Sequence, residues 1–485
     1  MVHEITEKES INEWFSKRTW SVSGNRVGAG EEDVIDTKAE RVVFPRDTEE
    51  VSQILSSLPP SQPVAVVCGG HSSSNTSTVA VANAVVVDLQ NLNSVSVDEE
   101  KMEVTAGGGV TFRSLAEAVG DADGALPIGT GDTVGVTGYL VNGGISGYFG
   151  RRLGMLGQRV IELTFVTADG VIKILSPSSS SDEDSTLFNS VLGAGSALGV
   201  VTSVTLKMES GSSFQSGGQV IVPCGTQDSA KRFARLALSF LRDSVLPDES
   251  VSMELVVTAD FTCISTFIFY DSFKFDPISY VNPIRDAATA GNVPIVVDNV
   301  TQWNTWLEAA SCLWPIIKEM KGNPLVRMDH SMGTTTYPDD DLLNFIANEW
   351  IGGVPLEDAS QSIVEIRTLG GAALSGEKLP SGNCSSLVFA DMIIAYDANG
   401  KSVDERRSIK NSVDCVVSLA REQKDVQVDF SATHSQADDP PVTTARDRGI
   451  EIFGSEVKYE QIRHAKQKYD AKNRFQCHPF TSFLS

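Results

Sequence analysis

Long apolar runs are missing from this 485-residue chain. No stretch approaches the roughly 20 apolar residues of a membrane span. The opening MVHEITEKESINEWF is charged and lacks the apolar centre of a secretion signal. Paired cysteines are missing too. The seven cysteines, Cys68, Cys224, Cys263, Cys312, Cys384, Cys415 and Cys477, are widely spaced and none forms a CxxC. Reduced, mostly buried thiols in a cytoplasmic protein are therefore expected, with no metal site. Positive charge is scarce: 39 Lys and Arg stand against 63 Asp and Glu, a net charge of -24. That argues against a nucleic-acid or anionic-membrane partner, since both are negative. Two phosphate signatures are also absent. AYDANGKS approaches a Walker A loop, but Ala395 stands where its first glycine belongs. GAGSALG, Gly193 to Gly199, has three residues before its last glycine and leads into a strand pattern, so it does not make a Rossmann fingerprint.

Glycine is plentiful, with 40 residues, and 41% of the chain is apolar. The length predicts at least two domains. The first 208 residues are rich in short β-branched runs. AERVVFP reads as a strand, and DTEEVSQILSSL as a helix capped by Asp47 or Thr48. AVVVDLQNLNSVSVDEEKMEVTAGGGVTFRSLAEAVG reads strand, turn, strand, strand, glycine loop, helix. VIELTFVTADGVIKILS reads as a hairpin with an Asp-Gly turn. SPSSSSDEDS reads as a polar surface loop, and ESGSSFQSGG, Glu209 to Gly218, as a domain junction. From about 219 to 425, helical segments alternate with period-two strands such as SVSMELVVTADF, SIVEIRTLGG and SSLVFADMIIAYD. That pattern predicts an α+β unit with an antiparallel sheet. EVKYEQIRHAKQKYDAKNRFQ reads as a closing amphipathic helix.

Four glycine loops in the first 200 residues each adjoin a strand: CGGHSSS, AGGGVT, GTGDTVGVTGYLVNGGISGY and GAGSALGVV. Backbone N–H groups from several such turns can hold a long diphosphate cofactor, because glycine permits close approach and unusual dihedrals. A glycine-rich β fold with tight turns is the alternative reading of the same loops.

The order of these loops resembles the FAD-binding domain of the vanillyl-alcohol oxidase and p-cresol methylhydroxylase (PCMH-type) superfamily. More narrowly, it resembles the berberine-bridge-enzyme-like flavoproteins. The resemblance rests on VVCGGHSSSNTS, VVVDLQNLNSVSVD, VTAGGGVTFRSLAEAV, LPIGTGDTVGVTGYLVNGGISGYFGRRLGM and GAGSALGVVTSVTLKM, and on the closing KYEQIRHAKQKYDAKNRFQ. It implies an α+β protein: a PCMH-type FAD domain over 1–208, completed by 426–485, and a substrate domain over 209–425 whose antiparallel sheet is covered by helices. It places Cys68, Gly69, Gly70, His71, Ser72, Ser73, Ser77, Gly107, Gly131, Thr133, Val134, Gly138, Gly143, Gly144, Ser146, Gly199, Val200 and Val201 at the cofactor. His71 occupies the position commonly bonded to the flavin. Relatives with a second tether carry a cysteine where Gly131 stands here, so attachment through His71 alone is implied. Ile145 and Tyr148 are expected near the flavin edge or pocket mouth, although Tyr148 also reads as a packing aromatic.

The implied activity is oxidation of a small organic, secondary-metabolite substrate, with hydride passing to the flavin and molecular oxygen reoxidising it. Two family features are missing. VDFSATHSQADDPP holds no tyrosine-x-asparagine, and LPSGNCSS stands where PHR is usual. Substitutes for the catalytic base are Asp391, on an apolar strand and sharing a face with Leu387 and Phe389, then His434 and Tyr396. Glu365 and Arg367 read as an ion pair. A displaced base leaves a second function open, a flavoprotein cyclase that shapes an intramolecular cycloaddition without net redox change.

Overall fold

A computed structural model describes residues 3–18, 21–23, 39–71, 82–145, 147–179, 181–315, 325–356, 359–375, 386–397, 401–428 and 445–476. Among the described residues the N-terminal half holds two larger sheets and the two-stranded pair Gly124–Ala125 with Glu209–Ser210. In the first, Arg41–Phe44 and Val64–Val67 flank Val85–Asp88 in parallel, and His3–Ile5 adds antiparallel to the edge. The crossover helix Thr48–Ser57 starts at Asp47, whose carboxylate accepts from the Glu50 amide at 2.8 Å. Val51, Ile54 and Leu55 bury its apolar stripe against Val43, Val64 and Val85.

The second sheet is antiparallel and runs Ile172–Leu175, Val160–Thr167, Gly199–Lys207, Glu103–Gly107, Val95–Asp98. Its hairpin turns at Asp169 and Gly170, with Gly170 at φ +88°. The segment Gly193 to Gly199 ends a helix instead of opening one. Helical dihedrals fail at Leu192 and Gly193, and a short 3₁₀ turn leads into the strand Gly199–Lys207.

A nine-stranded sheet forms the other half. From one edge it runs Val297–Asp298, Phe214–Pro223, Thr262–Tyr270, Val251–Thr258, Ile363–Thr368, Val388–Asp397, Leu325–Thr334 and Ser21–Ser23. Val426–Val428 also pairs with Leu325–Thr334. Within 209–218, Glu209–Ser210 pairs back with Gly124–Ala125, and Phe214 opens a strand of the large sheet. In that strand Ser216, Gly217 and Gly218 pair with Phe269, Ile268 and Phe267. Helices Gln227–Phe240 and Val403–Arg421 cover one face of this sheet. Phe233, Leu238, Trp350 and Val413 pack there on Leu255, Ile366 and Met392. The opposite face looks toward the glycine loops.

The closing helix Glu456–Tyr469 packs back on the N-terminal half, with Tyr459 and Ile462 against Ala194 and Ala197. Lys466 Nζ, buried, donates to the Ala197 carbonyl at 2.8 Å and to Asp470 at 2.6 Å. Arg474 donates to the carbonyls of Leu55, Leu58 and Pro59 at 2.7, 3.0 and 2.8 Å. A buried cation with this many acceptors recovers part of its lost hydration.

Candidate active site

The glycine loops converge. Phe112 N donates to Val134 O and Val136 N to Val110 O, both at 2.9 Å. Thr137 Oγ1 donates to Gly108 O at 2.7 Å, and Ser196 Oγ to Asn142 Oδ1 at 2.9 Å. Loops far apart in the chain thus share one seam. A Cβ added to Gly69 would lie 2.2 Å from Gly135 N, so the CGGH and DTVG turns interlock through bare backbone. Gly70 and Gly143 take φ +71° and +73°, the left-handed region that favours glycine. At the meeting point, His71 Nε2 lies 2.6 Å from Thr133 Oγ1. Gly131 anchors the same turn, its carbonyl accepting from Val134 N at 3.3 Å.

Several expected cofactor residues face protein. The missing side chains of Gly107, Gly144 and Gly199 make room for Leu92 O, the Tyr139 ring and Phe165 with Val166 O. Val200 and Val201 are buried on a strand whose alternate side chains enter two different cores. The Cys68 side chain also points inward. Its Sγ occupies the space a Cβ on Gly135 would need, and burial pushes its thiol pKa up. Gly138 differs: an added Cβ would meet nothing closer than Cys68 Cβ at 3.9 Å. Ser72, Ser73, Ser77, Ser146 and His434 lie outside the described residues.

Facing these loops, the large sheet presents a buried charged cluster. Cross-strand register puts Glu254, Arg367 and Phe389 in one row and Glu365, Asp391 and Ser331 in the next. Arg367 is the hub. Its Nε donates to Glu254 at 2.6 Å and its Nη1 to Asp391 Oδ2 at 2.9 Å, and its Nη2 pairs with Glu365. Burial works against the guanidinium charge, but Asp391 and Glu254 outweigh it and raise the pKa. The neighbouring loop is close: a Cβ on Gly147 would sit 3.4 Å from Arg367 Cδ. Further along the same face, Arg327 Nε pairs with Asp329 at 2.6 Å.

Tyr148 joins the cluster from the loop side. Its hydroxyl lies 3.6 Å from Cys312 Sγ, and its carbonyl accepts from Tyr270 at 2.5 Å. Burial, then the nearby Cys312 and Glu254, push its pKa well up, so the phenol stays protonated. Burial likewise pushes the Cys312 thiol up to about 12. Asp391 thus stands on the loop-facing side, as its alternation with Phe389 predicts. Tyr396 does not join it. Five residues along the same strand it points the other way, into the helix-covered core, because side chains alternate between faces.

Residues 39–176 match the family model for an FAD binding domain. The chain carries an FAD-binding domain. By sequence it is 32% identical over 146 residues to the FAD-linked oxidoreductase azaL of Aspergillus niger, covering 30% of each chain. It is 31% identical over 174 residues to berberine bridge enzyme-like C-1 of Nicotiana tabacum, covering 35% of this chain and 30% of the relative. The sequence matches thus span about 30% of these curated relatives' length. Over the whole chain the fold is that of the berberine-bridge-enzyme-like, PCMH-type flavoproteins. Physcomitrella patens BBE-like 1 superposes with a TM-score of 0.75 at 15% identity, covering 98% of this chain and 95% of that one. A berberine bridge enzyme variant gives 0.74 at 15% identity, covering 98% and 99%.

The residues present fit FAD. The seam of bare backbone ends at an imidazole and a hydroxyl, and Gly138 leaves open space beside it. Among the described residues no helix is long and apolar enough to cross a membrane, and no group of three or more metal-ligating side chains assembles. Sequence reasoning missed Glu254 and the Tyr148–Cys312 contact. A charged residue at the centre of the apolar run SMELVV was the available signal for Glu254; nothing in the sequence links Tyr148 to Cys312.

Proposed function

We propose that this flavoprotein is an FAD-dependent oxidase of a small organic substrate, with FAD bonded through His71 alone and molecular oxygen as final acceptor. Residues 1–208 with 426–485 would form the flavin unit and 209–425 the substrate unit. The relatives' names, FAD-linked oxidoreductase and berberine bridge enzyme-like, support the reaction class. The observation that carries the reading is the buried Arg367 cluster set against the glycine-loop seam. When bound, FAD supplies a two-electron acceptor that can pass its electrons to oxygen.

The chain's own part is proton handling and orientation. Asp391, held at Oδ2 by Arg367 Nη1, accepts the proton that leaves a substrate hydroxyl or amine. His434 is the second candidate base. Arg367 fixes the carboxylate's direction, since three of its nitrogens are each committed to a different acid. Tyr148, kept protonated, serves as a hydrogen-bond donor and not as a base. Dense packing of Phe389, Ile145 and Met155 beside the cluster excludes water.

One observation favours the cyclase as a second reading: every carboxylate of the cluster is tied to Arg367, as suits a pocket that shapes without taking a proton. Anaerobic mixing with polyketide-, alkaloid- and sugar-like compounds separates the two. An oxidase bleaches its yellow colour and recovers it in air. Turnover with the flavin spectrum unchanged would overturn the oxidase reading in favour of the cyclase. Acid precipitation should leave the colour with the protein, and His71→Ala should release it.

A further inference from the structure

The N-terminal helix Lys8–Arg18 reaches under the loop that carries His71. Trp14 and Arg18, one turn apart on the same side of this helix, converge on Asp88. Asp88 ends the strand Val85–Asp88 and is wholly buried. Arg18 Nε and Nη2 each donate to a different Asp88 oxygen at 2.9 Å, and Trp14 Nε1 adds a third bond at 2.9 Å. Gln90 N donates to the same carboxylate at 3.1 Å. The fork is therefore rigid. Arg18 Nη2 also donates to the carbonyl of Cys68, three residues before His71.

Little freedom remains between that carbonyl and the imidazole. Gly69 is wedged against Gly135 N and Thr133 O, with no room for a Cβ. Gly70 is in the left-handed region, and His71 Nε2 is bonded to Thr133. Holding the Cys68 carbonyl fixes the first peptide plane of the turn, and the two glycines pass that direction on to the ring.

We propose that Arg18, oriented by Asp88 and Trp14, is a positioning residue that presents the His71 ring nitrogen for bonding to FAD. The inference rests on the reading that His71 is the attachment site. Attachment exchanges a methyl C–H and an imidazole N–H for one C–N bond. The two protons and two electrons released are taken by molecular oxygen, giving hydrogen peroxide, so atoms and electrons balance. Pre-orientation acts on such a step by removing rotational freedom before the bond forms.

The test follows attachment in full-length protein purified from riboflavin-starved cells. FAD is added at a series of concentrations, and the flavin that survives acid precipitation is measured against time. Arg18→Gln is expected to lower the saturating rate tenfold or more, while the FAD concentration giving half that rate stays near the wild-type value. Arg18→Lys, which keeps a charge but loses the fork, is expected to recover part of the rate. A merely structural role would instead shift the FAD requirement and the circular dichroism together, and that result overturns the proposal. So does an Arg18→Gln protein that attaches flavin at the wild-type rate. If Arg18→Gln does not fold, Trp14→Phe and Arg18→Lys carry the test, and wild-type rates in both overturn it. Wild-type protein that never retains flavin would instead fail the His71 reading itself, a separate outcome.

Discussion

The two faces of the nine-stranded sheet come from the same strands and do opposite work. On the helix side, Val364, Ile366, Ala390, Met392 and Ile394 make a close-packed apolar core. On the loop side, Glu365, Arg367 and Asp391, each one residue away, make a buried ionic cluster beside Phe389. The first face needs only shape and volume. The second needs partners, because a charge out of water is costly unless it is paired. The comparison separates stability from chemistry residue by residue.

The largest effect should come from the hub. Arg367→Met leaves Glu254, Glu365 and Asp391 buried without their cation, and breaking such a set costs about 3–5 kcal/mol. The folded variant can then lower its charge only by taking up protons, so its stability should rise as pH falls from 8 to 5. Denaturant midpoints across that range check this; a flat profile would mean the cluster carries little charge.

Next comes the other face. Met392→Ala should cost about 2–5 kcal/mol through the cavity it leaves, with no comparable pH slope. If covalent flavin content is measured as well, it should match wild type. A loss there would mean that the two faces are not separable.

A smaller, chemical contrast concerns the thiols. Cys68 and Cys312 have thiols pushed up by burial, and Cys415 is exposed. Iodoacetamide at pH 8 followed by peptide mapping should label Cys415 and spare Cys68 and Cys312 until the protein is unfolded.

The smallest effect concerns Tyr396. Burial raises its pKa from the ordinary 10 to about 12. The folded form therefore favours the neutral phenol. The stabilisation is complete below pH 10 and is lost as pH rises toward 12. Tyr396→Phe should flatten that alkaline decline in thermal-melt measurements, while leaving flavin reduction by substrate unaffected. Impaired reduction would return Tyr396 to the reacting centre despite its place among the helices.

Legibility in the sequence followed local physics. The Asp47 cap and the Asp169-Gly170 turn are contacts within a few residues, and both stand as their residue types predict. Alternation placed Phe389 and Asp391 together, but period two says only that two sets exist. Tyr396 reads as a further substitute base after Asp391 and His434, yet on the strand it shares with Asp391 an odd separation puts the two on opposite faces. Glycine was legible as close approach and not as approach to what: Gly69 admits Gly135, Gly144 admits the Tyr139 ring, and neither identity is local.

By itself the sequence determined where backbone could bend, where helices could start, and that an imidazole follows two glycines at a strand end. These depend on one residue and its immediate neighbours. Only the tertiary structure decided that Arg367 gathers Glu254, Glu365 and Asp391, and that Arg18 reaches Cys68 across 50 residues. Such pairings arise when strands distant in the chain are brought into register, and the energy of a buried charge depends on that register and not on its own segment.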